Sequence, residues 1–272
     1  MFFDTHCHLN FQIFDSNVDQ VVKEAFKVRL KNITIPGTDI LTSKKAIKIA
    51  QKFTGVYAAV GIHPHHVFEM FVNKRNKDNK IFFQLEKLVK EDKVVAIGEI
   101  GLDRHYYQKT KYSDYQINEK FIKLQKEFFI YQLELAYKYK KSLILHNRQA
   151  KDDLLKVLKE NKKFLLSKRA VFHCCESDKE LLDFAIKNKI FVGINGDVFY
   201  DKKKQEFVKK IPLGLLVLET DAPFLSPFKK FPNQPKNLPV IAKKIAQIKK
   251  TSLEKLAEKT TFNGKVLFDL LN

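Results

Sequence analysis

Short β-branched or aromatic runs alternate with longer helix-like segments from one end of this chain to the other. The strand candidates are 2–6, 32–36, 56–61, 94–99, 142–146, 170–173, 190–194 and 215–219. Most are near-continuous apolar runs, the pattern of parallel strands buried on both faces. Helical segments fall near 17–30, 40–52, 80–92, 116–140, 151–162, 178–188, 201–210 and 238–249, and one near 252–270 closes the chain. Parallel strands need crossover connections, and those crossovers are right-handed. The repeat predicts an α/β fold, a single (β/α)8-type TIM barrel domain over residues 1–272. A barrel of this kind takes roughly 250 residues, and the chain has 272.

The strand ends carry the chemistry. The first run leads into Asp4-Thr5-His6-Cys7-His8, and later runs end in Glu99, His146, His173 and Asp221. A barrel gathers such ends at its carboxyl-terminal rim, where barrel enzymes keep their active sites. The pattern therefore predicts a metal-dependent hydrolase with its metal site at that rim. His6 and His8, two apart on a strand, would project to one face and share a divalent ion, with Cys7 turned away. Glu99 ends a buried strand, where a carboxylate is costly unless it meets a cation or N–H donors. A bridge between two metals meets that need; so would a set of backbone amides. Asp103 reads equally as an orienting partner or a cap.

His146 and His173 each close an apolar run, and each alone reads as well as a satisfied core histidine. Arg148, two residues past His146, could clamp a phosphate oxygen or pair with an acid. Asp221 is the natural last ligand and a candidate to take the proton of the attacking water. Glu219 is expected to support a neighbour by hydrogen bonding. His63, in Gly61-Ile62-His63-Pro64-His65, could contact a phosphate or the leaving group, or be a loop histidine fixed by Pro64. Cys174 and Cys175 beside His173 are a minor zinc alternative.

The formal net charge is +19, which favours anionic partners, nucleic acid above all. Nearly all of it is Lys, since Arg occurs only at positions 29, 75, 104, 148 and 169, so composition alone explains it equally well. Loops 68–80 and 104–115 carry basic residues, the second mixed with Tyr, as in base-stacking surfaces or as solvated loops with packed Tyr anchors. The Pro-rich segment 222–239 is expected to form an ordered lid. No apolar run reaches the ~20 residues of a membrane span. No basic region precedes an apolar one at the start, so no secretory signal is expected. Three cysteines with a vicinal pair suit a reducing cytoplasm, and a monomer is expected.

Together these segments resemble the TatD family of metal-dependent deoxyribonucleases, within the amidohydrolase-like barrels. The likeness runs from Phe3 to about Phe268. It rests on Asp4-Thr5-His6-Cys7-His8-Leu9, Gly61-Ile62-His63-Pro64-His65, Gly98-Glu99-Ile100-Gly101-Leu102-Asp103 and Gln132-Leu133-Glu134-Leu135-Ala136. It continues in His146-Asn147-Arg148, His173-Cys174, Glu219-Thr220-Asp221-Ala222-Pro223 and the stretch from Asn263. The resemblance implies that His6, His8 and Asp221 hold one divalent ion, His146 and His173 a second, and Glu99 bridges them. It places His63 at the phosphate site and implies 3′–5′ exonuclease-type hydrolysis of DNA. Asp221 would be the general base, with Arg148 on phosphate oxygens. The ligand set suits Zn or Mn more than Mg. Departures lie at Gln149, at Cys175-Glu176-Ser177 and at Phe228-Lys229-Lys230-Phe231, followed by Asn233-Gln234-Pro235. They touch substrate preference and spare every ligand.

Two other classes fit the same barrel. One is a hydrolase acting on another ester or amide, such as aminoacyl-tRNA; many such relatives bridge their metals with a carbamylated Lys, where this chain has Glu99. The other is a non-catalytic nucleic-acid binder with a structural metal.

Overall fold

The computed structural model describes residues 1–72, 80–110, 115–229 and 231–271. Eight strands pair in parallel in sequence order: Phe2–Asp4 (β1), Leu30–Pro36 (β2), Val56–Val60 (β3), Val94–Asp103 (β4), Ser142–Arg148 (β5), Ala170–Phe172 (β6), Phe191–Ile194 (β7) and Leu216–Leu218 (β8). The seam between β8 and β1 is drawn together by Thr5 N–H donating to the Leu218 carbonyl at 3.0 Å and Asp221 N–H to that of His6 at 2.9 Å. The helices are Val18–Lys27 (α1), Ile40–Lys52 (α2), Val67–Val72 (α3), Lys80–Val89 (α4), Glu119–Lys138 (α5), Lys151–Glu160 (α6), Lys179–Asn188 (α7), Lys202–Lys210 (α8), Leu238–Ile248 (α9) and Leu253–Leu267 (α10). The expected (β/α)8 barrel is the observed fold.

Polar side chains start the helices where the apolar period begins. Asp39 and Thr42 form a reciprocal capping box on α2. Asn118, Asp178 and Ser252 accept backbone N–H bonds at the starts of α5, α7 and α10. Each such bond satisfies an amide that the helix itself cannot, worth about 1 kcal/mol.

Two apolar layers follow. Between strands and helices lies the larger cluster, including Leu30, Ile33, Val60, Leu133, Leu145 and Ile241. Inside the barrel, Phe3, Val95, Ile144, Val171, Phe191 and Val217 pack against Leu267 and Phe268. Phe3 and Phe268 meet with ring centroids 5.6 Å apart. Helix α10 thus plugs the amino-terminal mouth, and Asn263 pins it there by donating to the carbonyls of Leu213 and Leu216. The carboxyl-terminal rim is the end left for chemistry.

Three strands differ from expectation in ways that matter at that rim. β1 stops at Asp4, so His6 and His8 sit beyond it. β4 and β5 run on, paired as far as Asp103 with Arg148, and their register shifts between Ile97 and Ile100. The described part of loop 104–115 is anchored to the barrel. Arg104 binds Asp153 (2.8 Å from Nε) and Glu119 (3.1 Å), and Tyr115 packs between Phe68 and Phe121. Asn73-Lys74-Arg75-Asn76-Lys77, Lys111, Tyr112 and Lys230 lie outside the described residues. No helix among the described residues is long and apolar enough to cross a membrane.

Candidate metal centre

The chain just past β1 is threaded by backbone bonds. Cys7 N–H donates to Thr34 O, and His8 N–H to Ala222 O. This path, and not strand alternation, aims both imidazoles inward, with Nε2 of His6 and His8 3.1 Å apart. Cys7 is fully buried and belongs to none of the donor groups. Asp4 ties this turn to the one after β8. Its carboxylate accepts Thr220 Oγ1–H at 2.6 Å, Thr220 N–H at 2.9 Å and His6 N–H at 3.3 Å. Burial pushes Asp4 up to about 8 against those hydrogen bonds.

Glu99 stands at the centre, and its two oxygens face different histidines. Oε2 lies 3.6 Å from Nε2 of both His6 and His8. Oε1 lies 2.6 Å from His146 Nδ1, 3.6 Å from His173 Nε2 and 3.7 Å from His63 Nε2. Asp221 Oδ1 is 3.6 Å from Nε2 of His6 and of His8, and 3.9 Å from that of His173. His173 therefore lies between the two sets. With ligand bonds of about 2.0–2.2 Å, donors around a single ion sit about 3–3.6 Å apart; the His6 and His8 pairs with Glu99 and Asp221, at 3.6 Å, match that spacing, while Glu99–His146 is tighter at 2.6 Å and Asp221–His173 wider at 3.9 Å. The groups His6–His8–Glu99 and His6–His173–Asp221, both buried, and Glu99–His146–His173, with His146 partly buried, are each close enough for one ion.

The electrostatics fit divalent cations. Burial holds His6 and His63 well below the usual histidine range, so each keeps a lone pair for a metal or a donor. Burial works against charge on Glu99 as well, yet the neighbouring His173 and His63 and the His146 hydrogen bond keep it ionised. Against the same desolvation, Asp103 and Glu99 raise His146 to about 10, and Glu219 and Glu99 raise His173 to about 9. A field that holds protons this firmly on imidazoles attracts a divalent ion for the same reason.

Carboxylates stand behind both of these histidines. Asp103 Oδ2 lies 3.2 Å from His146 Nε2, and Glu219 Oε1 lies 3.2 Å from His173 Nδ1. Such partners fix ring orientation and tautomer. Glu219 also accepts Cys174 N–H at 2.6 Å. It fits only because residue 193 is glycine: a Cβ there would overlap the Glu219 carboxylate. Cys174 and Cys175 are poor zinc ligands here, since burial pushes the first thiol well up and the second to about 12. His63, Asp103 and His146 form a further close donor group.

Arg148 sits exposed at the end of β5. Its guanidinium donates to Tyr107 Oη at 3.1 Å and lies 5.2 Å from that ring's centre. Tyr107 donates onward to Asp103 at 2.7 Å, so Arg148 connects through Tyr107 and Asp103 to His146.

Two glutamines on α5 hold the rim from behind. Gln132 accepts Ile62 N–H at 2.7 Å and donates to Ile62 O at 3.2 Å, next to His63. Gln125, two turns earlier, brackets Asp103 in the same way at 2.9 Å on both sides. Gln132→Ala leaves a buried amide and a buried carbonyl unpaired, a cost of about 1–3 kcal/mol for each exposed group. Its melting temperature is expected to fall by several degrees, with a larger loss in kcat/KM than distance from the metal ligands would suggest. Unchanged melting and kinetics would show that the bracket is dispensable.

The model of TatD-related DNases matches residues 3–269. The chain belongs to the TatD family. The family is one of metal-dependent hydrolases on the amidohydrolase-like barrel, and this chain is such an enzyme. It is 32% identical to the uncharacterized metal-dependent hydrolase YabD of Bacillus subtilis strain 168, over 98% of this chain and 99% of YabD. It is 30% identical to the 3′–5′ ssDNA/RNA exonuclease TatD of Erwinia amylovora, over 98% of this chain and all of that protein. The crystal structure of the TatD homologue YjjV from Escherichia coli K12 superposes with a TM-score of 0.82 at 26% identity, covering 98% of each chain.

Proposed function

We propose that this TatD-family enzyme is a nuclease that hydrolyses DNA phosphodiesters from the 3′ end with two divalent ions. The observation that carries the proposal is the divided Glu99 carboxylate, with one oxygen toward His6 and His8 and the other toward His146 and His173. In this reading His6, His8 and Asp221 hold one ion, His146 and His173 the other, and Glu99 bridges. Bound ions would neutralise phosphate charge and bring the pKa of water toward ~7. His63, buried beside Glu99, and Arg148, exposed on the rim, hold phosphate oxygens. Asp221 accepts the proton of the attacking water. The nitrogen-rich set suits Zn or Mn above Mg. The Erwinia relative's activity on single-stranded DNA and RNA supports the substrate class, and the net charge of +19 supports association with a polyanion.

The test is one panel run with and without Zn, Mn or Mg: single-stranded DNA, RNA, a simple phosphodiester and aminoacyl-tRNA. Metal-dependent release of mononucleotides from the 3′ end of DNA is the expected result. Turnover of aminoacyl-tRNA alone would move the enzyme to another ester class. Binding of DNA without turnover of any substrate would make the ions structural.

A further inference from the structure

We infer that the segment after β8 carries a base-stacking platform for the 3′-terminal bases of the substrate strand; this rests on the nuclease reading above. A file of aromatic rings leads out from the metal centre. Phe11 stacks on His8 with centroids 4.4 Å apart and planes 16° from parallel. Phe224 meets both His8 (6.4 Å) and Phe11 (6.1 Å) edge-on. Phe231 continues the file, 6.4 Å from Phe224 and tilted by 36°. The outer rings of the file are open to solvent, Phe224 45% and Phe231 65% exposed, and Phe228 of the same segment is 54% exposed. Folding does not place such rings in water for stability, since each forgoes the burial that drives collapse.

The segment itself is well held, so the exposure is built in. Asn233 N–H donates to Pro223 O at 2.8 Å, and its side-chain amide to Thr220 O at 2.9 Å. Lys229 of the same segment has its Nζ 5.2 Å from the centre of the Tyr200 ring.

Flat apolar faces, continuous with a phosphodiester site, match a nucleic-acid strand whose bases are free. Every base has a π-face, so stacking tolerates any sequence, and phenylalanine has no donor or acceptor with which to read one. In a duplex those faces are already covered by neighbouring bases. The bases flanking the reacting phosphate on its outer side would lie on Phe224 and Phe231.

The experiment compares two single-stranded oligonucleotides, one of them abasic at its last two 3′ nucleotides. Wild type is expected to cleave the ordinary strand with about tenfold or greater kcat/KM, the size of one lost stacked base. Phe231→Leu, which keeps apolar bulk without an aromatic face, should erase that preference by slowing the ordinary strand alone, and Phe231→Tyr should restore it. Equal cleavage of both strands by wild type, or equal slowing of both by Phe231→Leu, overturns the platform while leaving the nuclease intact. If neither strand is cleaved with any metal, the nuclease reading fails, and the platform is then judged by fluorescence-anisotropy binding of the same strands in Mn. Base-dependent binding lost in Phe231→Leu supports it; equal binding, or none, overturns it.

Discussion

Glu99→Ala is expected to remain folded and to lose at least about 1000-fold in kcat with saturating metal. Several kcal/mol of charge stabilisation is what a metal site contributes to such a reaction, and each 1.36 kcal/mol is a factor of ten. The loss is large because one side chain serves two donor sets, with Oε2 at 3.6 Å from His6 and His8 and Oε1 at 2.6 Å from His146. Removing it weakens both sites, so bound metal should fall by more than one equivalent. Folding should survive, because the alanine removes a buried charge and leaves the apolar lumen of Val95, Ile144 and Val217 untouched. Glu99→Asp, shorter by one methylene, should reach one set and not the other, giving intermediate metal content. Circular dichroism, metal analysis and steady-state kinetics decide it. Activity within tenfold of wild type, or activity that persists under chelator, would remove Glu99 from the bridge.

How much of this was readable from residues alone follows the distance over which each effect acts. The barrel was legible because buried parallel strands leave apolar runs, and eight recur with a helical segment between each and the next. The ligand types were legible because His or carboxylate at the end of such a run is expensive unless something charged faces it. The reason given for His6 and His8 was wrong in detail, since β1 ends at Asp4 and the two rings meet through backbone bonds to Thr34 and Ala222. Nothing local announces those bonds, from Cys7 to Thr34 and from His8 to Ala222 near the other end of the chain.

The supporting residues were harder still. Gln125 and Gln132 lie on a helix face that reads as core, and their amides act on the end of β4 and on the loop after β3, 22 and 70 positions away. The link from Asp4 to Thr220 spans 216 positions. An aspartate closing an apolar strand is the local signal for Asp4, and nothing near it in sequence points to Thr220. In loop 104–115 the mixture of basic residues with Tyr fits a binding surface as well as a packed one. Arg104 proves committed to Asp153 and Glu119, while Arg148, legible in sequence from its place two residues past His146, stands at the rim against Tyr107.

Asp221→Asn should lower kcat by about 100- to 10,000-fold, the range for loss of a general base, while keeping most of the bound metal. The choice of asparagine is forced by the backbone. Asp221 has φ 51°, in the left-handed region that Asp and Asn tolerate and most residues do not. Asparagine keeps that conformation, keeps the Asp221 N–H bond to His6 O, and keeps one carbonyl oxygen near Nε2 of His6 and His8. It cannot accept a proton. Alanine loses the oxygen and adds backbone strain, so Asp221→Ala should lose metal and melt lower than Asp221→Asn. The residual rate of the asparagine protein should climb as pH rises, because hydroxide from solution replaces the missing base. Wild-type turnover in Asp221→Asn with full metal occupancy would assign proton transfer elsewhere, with His63, 3.7 Å from Glu99, the next residue to replace.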